Sequence, residues 1–200
     1  MGNESVKPIP SSWSVSRLDD ICEILDSIRI PVNSKERNNR IEGKQREELY
    51  PYYGATGETG KIDGYLFDGD YLLLGEDGAP FLDYSKETAY LASGKFWVNN
   101  HAHVISPNKN INIRYLCEYL ELLDYSDIAS GSAQPKITQA SLNKIKVAIP
   151  SINEQQKIAS ILSSIDNNIE QKQTKLTQTK NLKKSLMADL LTGRVRVNVD

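Results

Sequence analysis

SINEQQKIASILSSIDNNIEQKQTKLTQTKNLKKSLMADLL, residues 151–191, contains neither glycine nor proline, and Gly193 follows it. Ser151 or Asn153 can accept the first free backbone N–H groups of a helix, with Glu154 and Gln155 in the first turn. Apolar residues recur at Ile158, Ile161, Leu162, Ile165, Ile169, Leu176, Leu182, Leu186, Leu190 and Leu191, spaced by three and four and interrupted by Lys172 and Thr179. Gly193 fits the stop. About 38 residues at a rise of ~1.5 Å make a helix of roughly 57 Å, far beyond the ~12-residue globular mean. A narrow apolar stripe on so long a helix needs a cover. Either the helix folds back on its own body as a hairpin, or the cover is a helix of another chain or of a second copy. The chain thus divides into residues 1–150 and 151–200.

Outward from that helix, residues 1–150 are rich in Gly, Pro, Tyr and Asn, with short apolar runs between turn signals. Ser16 to Leu25 reads as a helix, with Ser16 and Asp19 at capping-box spacing and Leu18, Ile21, Cys22 and Leu25 on one face. Asn33 to Glu48 is very polar and reads as an exposed loop or a solvated hairpin. Tyr50–Tyr53, Gly64–Phe67, Tyr71–Leu74 and Phe96–Val98 are strand candidates, punctuated by glycines. Ile113 to Leu123 predicts a short buried helix, and Ile145 to Ile149 a last strand, stopped by Pro150. The fold class expected is α+β: a mixed α/β body followed by the long helix.

Two hundred residues, 39% hydrophobic and 25% charged, suffice for a packed core. No apolar run approaches the ~20 residues of a membrane span, and the first residues lack the apolar stretch of a signal peptide. Two distant cysteines, Cys22 and Cys117, do not make a disulfide framework, so a reduced, cytoplasmic setting is the expectation. The net charge of −2 divides into +3 for residues 154–200 and −5 for the rest. DNA binding would therefore depend on local basic patches rather than on the overall field.

The motifs that could carry catalysis fail on context. Gly54-Ala55-Thr56-Gly57-Glu58-Thr59-Gly60 is neither the dinucleotide fingerprint nor a P-loop, and reads as a glycine-rich turn. Gly94-Lys95 lacks the upstream glycine of a P-loop. Glu42-Gly43-Lys44, with Asp26 upstream, matches a nuclease motif but lies in the most polar stretch of the chain. There is no nucleophile elbow and no Asn-Pro-Pro-aromatic step of an amino-methyltransferase. His101-Ala102-His103 would point to one face of a strand, yet no Cys, Asp or Glu stands beside it in sequence to complete a metal site. These histidines, with Asn99 and Asn100, suit hydrogen bonds to base edges or a locked loop. Ser130 to Gln139 is polar and suits phosphate contacts, or is an ordinary exposed loop. No metal ligand and no catalytic residue is assigned.

Taken in order, these segments resemble the specificity subunit of a type I restriction–modification system. The matching pieces are Trp13, Arg17-Leu18, Tyr50 to Gly57, Gly75-Glu76-Asp77-Gly78-Ala79, Gly94 to Val104, Ser130 to Lys136, Ile149-Pro150, Glu154-Gln155, Ile165-Asp166 and Leu190-Leu191-Thr192-Gly193. The resemblance implies a non-catalytic protein. A target-recognition domain, residues 1–150, would read a DNA half-site. The helical region, residues 151–200, would form a coiled-coil spacer and dock methyltransferase subunits. S-adenosylmethionine would belong to those subunits, and ATP and Mg to a motor–nuclease subunit, leaving this chain without a cofactor. Family members carry two recognition domains and two long helices where this sequence shows one of each. The expectation is therefore a homodimer through an antiparallel coiled coil, reading a palindromic, interrupted site. A half joined to a different half, or a truncated product, is the alternative.

The candidate DNA contacts are polar groups that a core would not want: Lys44, Arg46, Lys61, Asn99, Asn100, His101, Ser132, Gln134 and Lys136. Tyr52 and Tyr53 serve either there or as core support. Helix pairing is assigned to Ile158, Leu162, Ile165, Ile169, Leu176 and Leu186. A rival of another class is a stand-alone coiled-coil interaction module or a protein that mimics DNA and inhibits restriction complexes, but the dense acidic runs of a mimic are missing. A nuclease or metalloenzyme would betray itself by metal-dependent cleavage by the chain alone.

Overall fold

The computed structural model describes residues 9–78, 81, 87–131 and 135–198. It separates into two compact units, one ending at Gln156 and one beginning at Lys157. The first unit is built on three sheets. Strand β1 (Ser14–Arg17) pairs antiparallel with β10 (Lys146–Ile149), Ser14 opposite Ile149. The second sheet has the order β2 (Cys22–Ile24), β9 (Ala102–Pro107), β6 (Tyr71–Gly75), β7 (Ala89–Ala92), all antiparallel. The third has the order β4 (Gly57–Ile62), β3 (Tyr50–Gly54), β8 (Lys95–Val98), β5 (Phe67–Asp68), with β3 and β8 parallel.

The core explains the apolar run at Tyr71–Leu74. Leu72 and Leu74 join one buried cluster with Leu18, Ile105, Leu116, Leu120 and Val147. Leu73, on the opposite face, joins another with Phe67, Phe96, Val98 and Val104. Strand β6 is buried on both faces, so its sequence is continuous rather than alternating. The helix α3 (Ile113–Glu121) closes the first cluster with Tyr115, Leu116, Cys117 and Leu120, and the Asn112 side chain caps it at Tyr115 N–H. A third, smaller cluster gathers Val32, Tyr52, Ile62 and Trp97.

Four expectations need correction. Ser16–Leu25 is not one helix: β1 and β2 flank a single turn, α1 (Leu18–Ile21). Pairing with β10 and β9 claims its ends, while Leu18 and Ile21 still point inward. The cap is Arg17, whose backbone N–H donates to Asp20, not Ser16 with Asp19. Residues 33–48 are not a loop or hairpin but the helix α2 (Ser34–Ile41) and a 3-10 turn at Arg46–Glu48. No residue of α2 is buried, so no apolar period announced it. The glycine-rich turn is confined to the Gly54–Gly57 corner, and β4 runs on through Gly60. Of Gly64–Phe67 only Phe67 is strand.

After the short helix α4 (Gln139–Leu142), the long helix α5 runs unbroken over Ile152–Leu191, 40 residues, and Ser151 Oγ accepts the Glu154 N–H at its start. Along it Ile161, Ile165, Ile169, Leu176, Leu182 and Leu186 are each about half exposed. Ile158 and Leu162 are partly buried. No described helix is long and apolar enough to cross a membrane. Cys22 and Cys117 are free thiols, and burial pushes both up to about 12.

Candidate nucleic-acid interface

The helix α2 exists because Asn33 caps it, its side chain accepting the Glu36 N–H at 2.9 Å. It is fastened by cations rather than by an apolar stripe. The Arg37 guanidinium lies 4.7 Å from the centre of the Tyr52 ring, and Arg40 4.7 Å from that of Trp97. Arg40 also binds Asp63 at 2.5 Å, and Lys44 binds the same carboxylate at 2.7 Å. The hydrogen bond from Lys44, joined by Arg40, holds the Asp63 carboxyl below its ordinary value. Tyr52 is buried and donates to the Val32 carbonyl at 3.0 Å, and Tyr53 packs on Tyr90 and Phe96. Both tyrosines are supports.

Between α2, the β3–β4 hairpin and the turn joining β8 to β9 lies a cleft of about 530 Å³. Asn33, Ser34 and Arg37 line one side, and Thr59, Asn99, Asn100 and His101 the other, above Tyr52. The turn is locked from within: the Asn99 side chain accepts the His101 N–H at 2.8 Å, and His101 Nδ1 meets Asp77.

Behind the turn sits a buried network of charge. His103 is 1% exposed. Its Nδ1 is 2.5 Å from Asp26 and its Nε2 is 2.8 Å from the Ile137 carbonyl. Both nitrogens face oxygens, so the ring bridges Asp26 and the Ile137 carbonyl. Arg29 reaches Glu76 and the Ala102 carbonyl, each at 2.7 Å, and Asp26 at 3.2 Å. Lys136 reaches Glu76 at 2.8 Å. Burial alone would raise the Asp26 and Glu76 carboxyls. The bonds and charge of His103 with the Val104 N–H and Arg29 outweigh it at Asp26, as Lys136, Arg29 and His103 do at Glu76, so both lie below their ordinary values.

The two histidines do not share a face: His101 precedes β9 and is exposed, while His103 is inside. The fold also supplies the acids that the sequence neighbourhood lacks. Donor atoms of Asp26, Glu76 and His103 lie within 4.8 Å of one another. Each already has protein partners, and Arg29 and Lys136 balance the charge of the two carboxylates. That charge balance suits a clamp rather than a cation site.

Of the predicted contacts, Asn99, Asn100 and His101 meet in the cleft. Lys136 adjoins them through Asp77, with which it forms an isolated bridge. Lys44 is bound to Asp63 and Lys61 to Glu58, at 2.8 Å. Arg46 lies on the exposed 3-10 turn. Ser132 and Gln134 lie outside the described residues. Arg37, Arg29 and Glu76 were not among the predicted site residues, and Asp26 was weighed only beside a nuclease motif. Asn33 and Glu36 at capping-box spacing, with arginines at 37 and 40, were the available signal for the first.

The first unit is a mixed-sheet module with a polar cleft, and one long helix follows it in the chain. The family model for the type I restriction modification DNA specificity domain matches residues 10–181, and the chain belongs to that family. It is 34% identical over 149 residues to a protein of Haemophilus influenzae named as a type I restriction enzyme specificity subunit, covering 74% of this chain and 36% of that one. It is 33% identical over 129 residues to the EcoprrI specificity subunit of Escherichia coli, covering 64% and 31%. The fold is that of the S subunit of a type I restriction–modification system from M. genitalium (TM-score 0.64, 14% identity, 94% of this chain and 46% of that one). The chain thus spans about a third of these curated relatives and just under half of that solved chain.

Proposed function

We propose that this chain is the DNA-recognition subunit of a type I restriction–modification complex. One module reads a half-site in double-stranded DNA. The helix α5 pairs antiparallel with α5 of a second copy, so that two modules read a palindromic, interrupted site. The methyltransferase subunits dock on this dimer and bring S-adenosylmethionine, and a motor–nuclease subunit joins through them with ATP and Mg. On this reading the chain itself performs no catalysis.

The observation that carries the proposal is the uncovered apolar stripe of α5, on a chain whose family match runs through both module and helix. From Ile158, steps of four and three reach Leu162, Ile165, Ile169, Lys172, Leu176, Thr179, Lys183, Leu186 and Leu190. This is a 3.5-residue repeat with three polar places, the pattern of a helix that pairs with a specified partner.

The test begins with the tagged full chain recovered from its host at low salt. A methyltransferase subunit in the eluate, with a two-chain mass for the purified protein by light scattering, is the expected result. A folded monomer that brings no such subunit overturns the reading.

A further inference from the structure

The cleft holds one cation and, among the described residues that line it, no carboxylate. Five other described cations are occupied: Arg29, Arg40, Lys44, Lys61 and Lys136 each have a carboxylate within 2.8 Å. Arg37 differs. Its guanidinium rests on the Tyr52 ring, and its Nη1 is buried without a hydrogen-bond partner. Gly60 makes the room, because a Cβ there would stand 2.9 Å from Nη1. A buried donor without an acceptor is destabilising, so a small swing into the cleft toward an acceptor breaks no hydrogen bond and makes one. Moving Lys44, Lys61 or Lys136 to a ligand would instead strip an ion pair.

We propose that Arg37 is a specificity-determining residue of this cleft, and that it takes a guanine edge of the target DNA, its fork donating to O6 and N7. The inference rests on the DNA-reading role proposed above and names the base and the residue. A planar guanidinium held on an aromatic ring is preorganised for that paired acceptor. The rest of the lining argues against a phosphate. Asn99 and Asn100 offer amides with both donors and acceptors, the pattern of a base edge, and no second cation is among the described residues that line the cleft.

The experiment uses the full chain assembled with its methyltransferase subunit and a random-sequence duplex library, selected by binding and sequenced. Wild type should yield a motif that contains guanine. Arg37→Lys and Arg37→Ala should relax one guanine position by roughly 5- to 150-fold while the other positions persist. Arg37→Lys keeps the charge over Tyr52, so it carries the test if the alanine variant melts early. An unchanged motif in both variants overturns the inference. So does a loss of affinity that is equal for all sequences, because that marks a phosphate contact. Selection of no motif by wild type overturns the recognition role itself and this inference with it, a result distinct from a motif indifferent to Arg37.

Discussion

His103 shows how one side chain can organise a surface it does not reach. Its ring spans from Asp26 to the Ile137 carbonyl, and so ties the end of the 130–137 segment to the sheet. Replacing it with leucine leaves Asp26 buried with fewer partners and should cost about 3 kcal/mol in urea unfolding. A loss below about 0.5 kcal/mol would show that the ring is not held as drawn. The carboxyls give a second check. Asp26 and Glu76 lie below their ordinary values of 3.8 and 4.5. The unfolded chain therefore binds protons first as pH falls. Their stabilisation is complete above about pH 5 and is lost as acid carries them through their lowered folded values. Asp26→Asn should flatten the acid limb of a stability-against-pH curve. An acid limb as steep as that of wild type would assign the loss to other groups.

At the scale of elements, the two ends of α5 make different demands. Gln155 is 1% exposed, accepts from the Asn112 N–H at 2.8 Å and donates to the Pro150 carbonyl at 3.0 Å and the Asn110 carbonyl at 3.3 Å. Gln155→Leu strands those groups and should lower stability by about 2–4 kcal/mol, measured by thermal unfolding. Farther along, Ile165→Asp should abolish pairing, since the seam would bury an unpaired charge. A two-chain mass for that variant by light scattering would move the seam to another face. The helices α5 and α3 were legible in the sequence from their apolar spacing, and β6 from its continuous apolar run. The α2 helix was not, since arginine stacking and ion pairs hold it and neither follows a period of hydrophobicity. The Ser16–Leu25 segment misled for the opposite reason. Its helical spacing is real for one turn, but ladders to β9 and β10, distant in sequence, claim the rest. Asn99 to His101 could be picked out by residue type alone. The clamp of Asp26, Arg29, Glu76 and His103 could not, because its members come from three separated stretches of chain.

For the whole molecule, charge sets the expectation for DNA. With −5 on residues 1–153 and half of the described cations there already in ion pairs, long-range attraction is weak. Affinity of the assembled complex should fall only gently with salt. If Lys136 leaves Glu76 for a phosphate, Lys136→Ala should reduce the slope of log affinity against log salt by about 1, uniformly across sequences. An unchanged slope would leave Lys136 as part of the clamp alone. The proposed dimer would add its own signature: a melting temperature that rises with protein concentration, because the paired state is favoured by mass action. A melting temperature independent of concentration would place the unfolding step within a single chain.

The pairing of β1 with β10 puts Ser14 directly opposite Ile149. The module between them is thus entered and left through one doorway. Anything that joins helices on either side of that doorway can exchange the whole room behind it without disturbing the frame. On the proposed DNA-reading role, new targets would be acquired by trading cassettes as units, with the spacing between half-sites left to whatever helices lie outside.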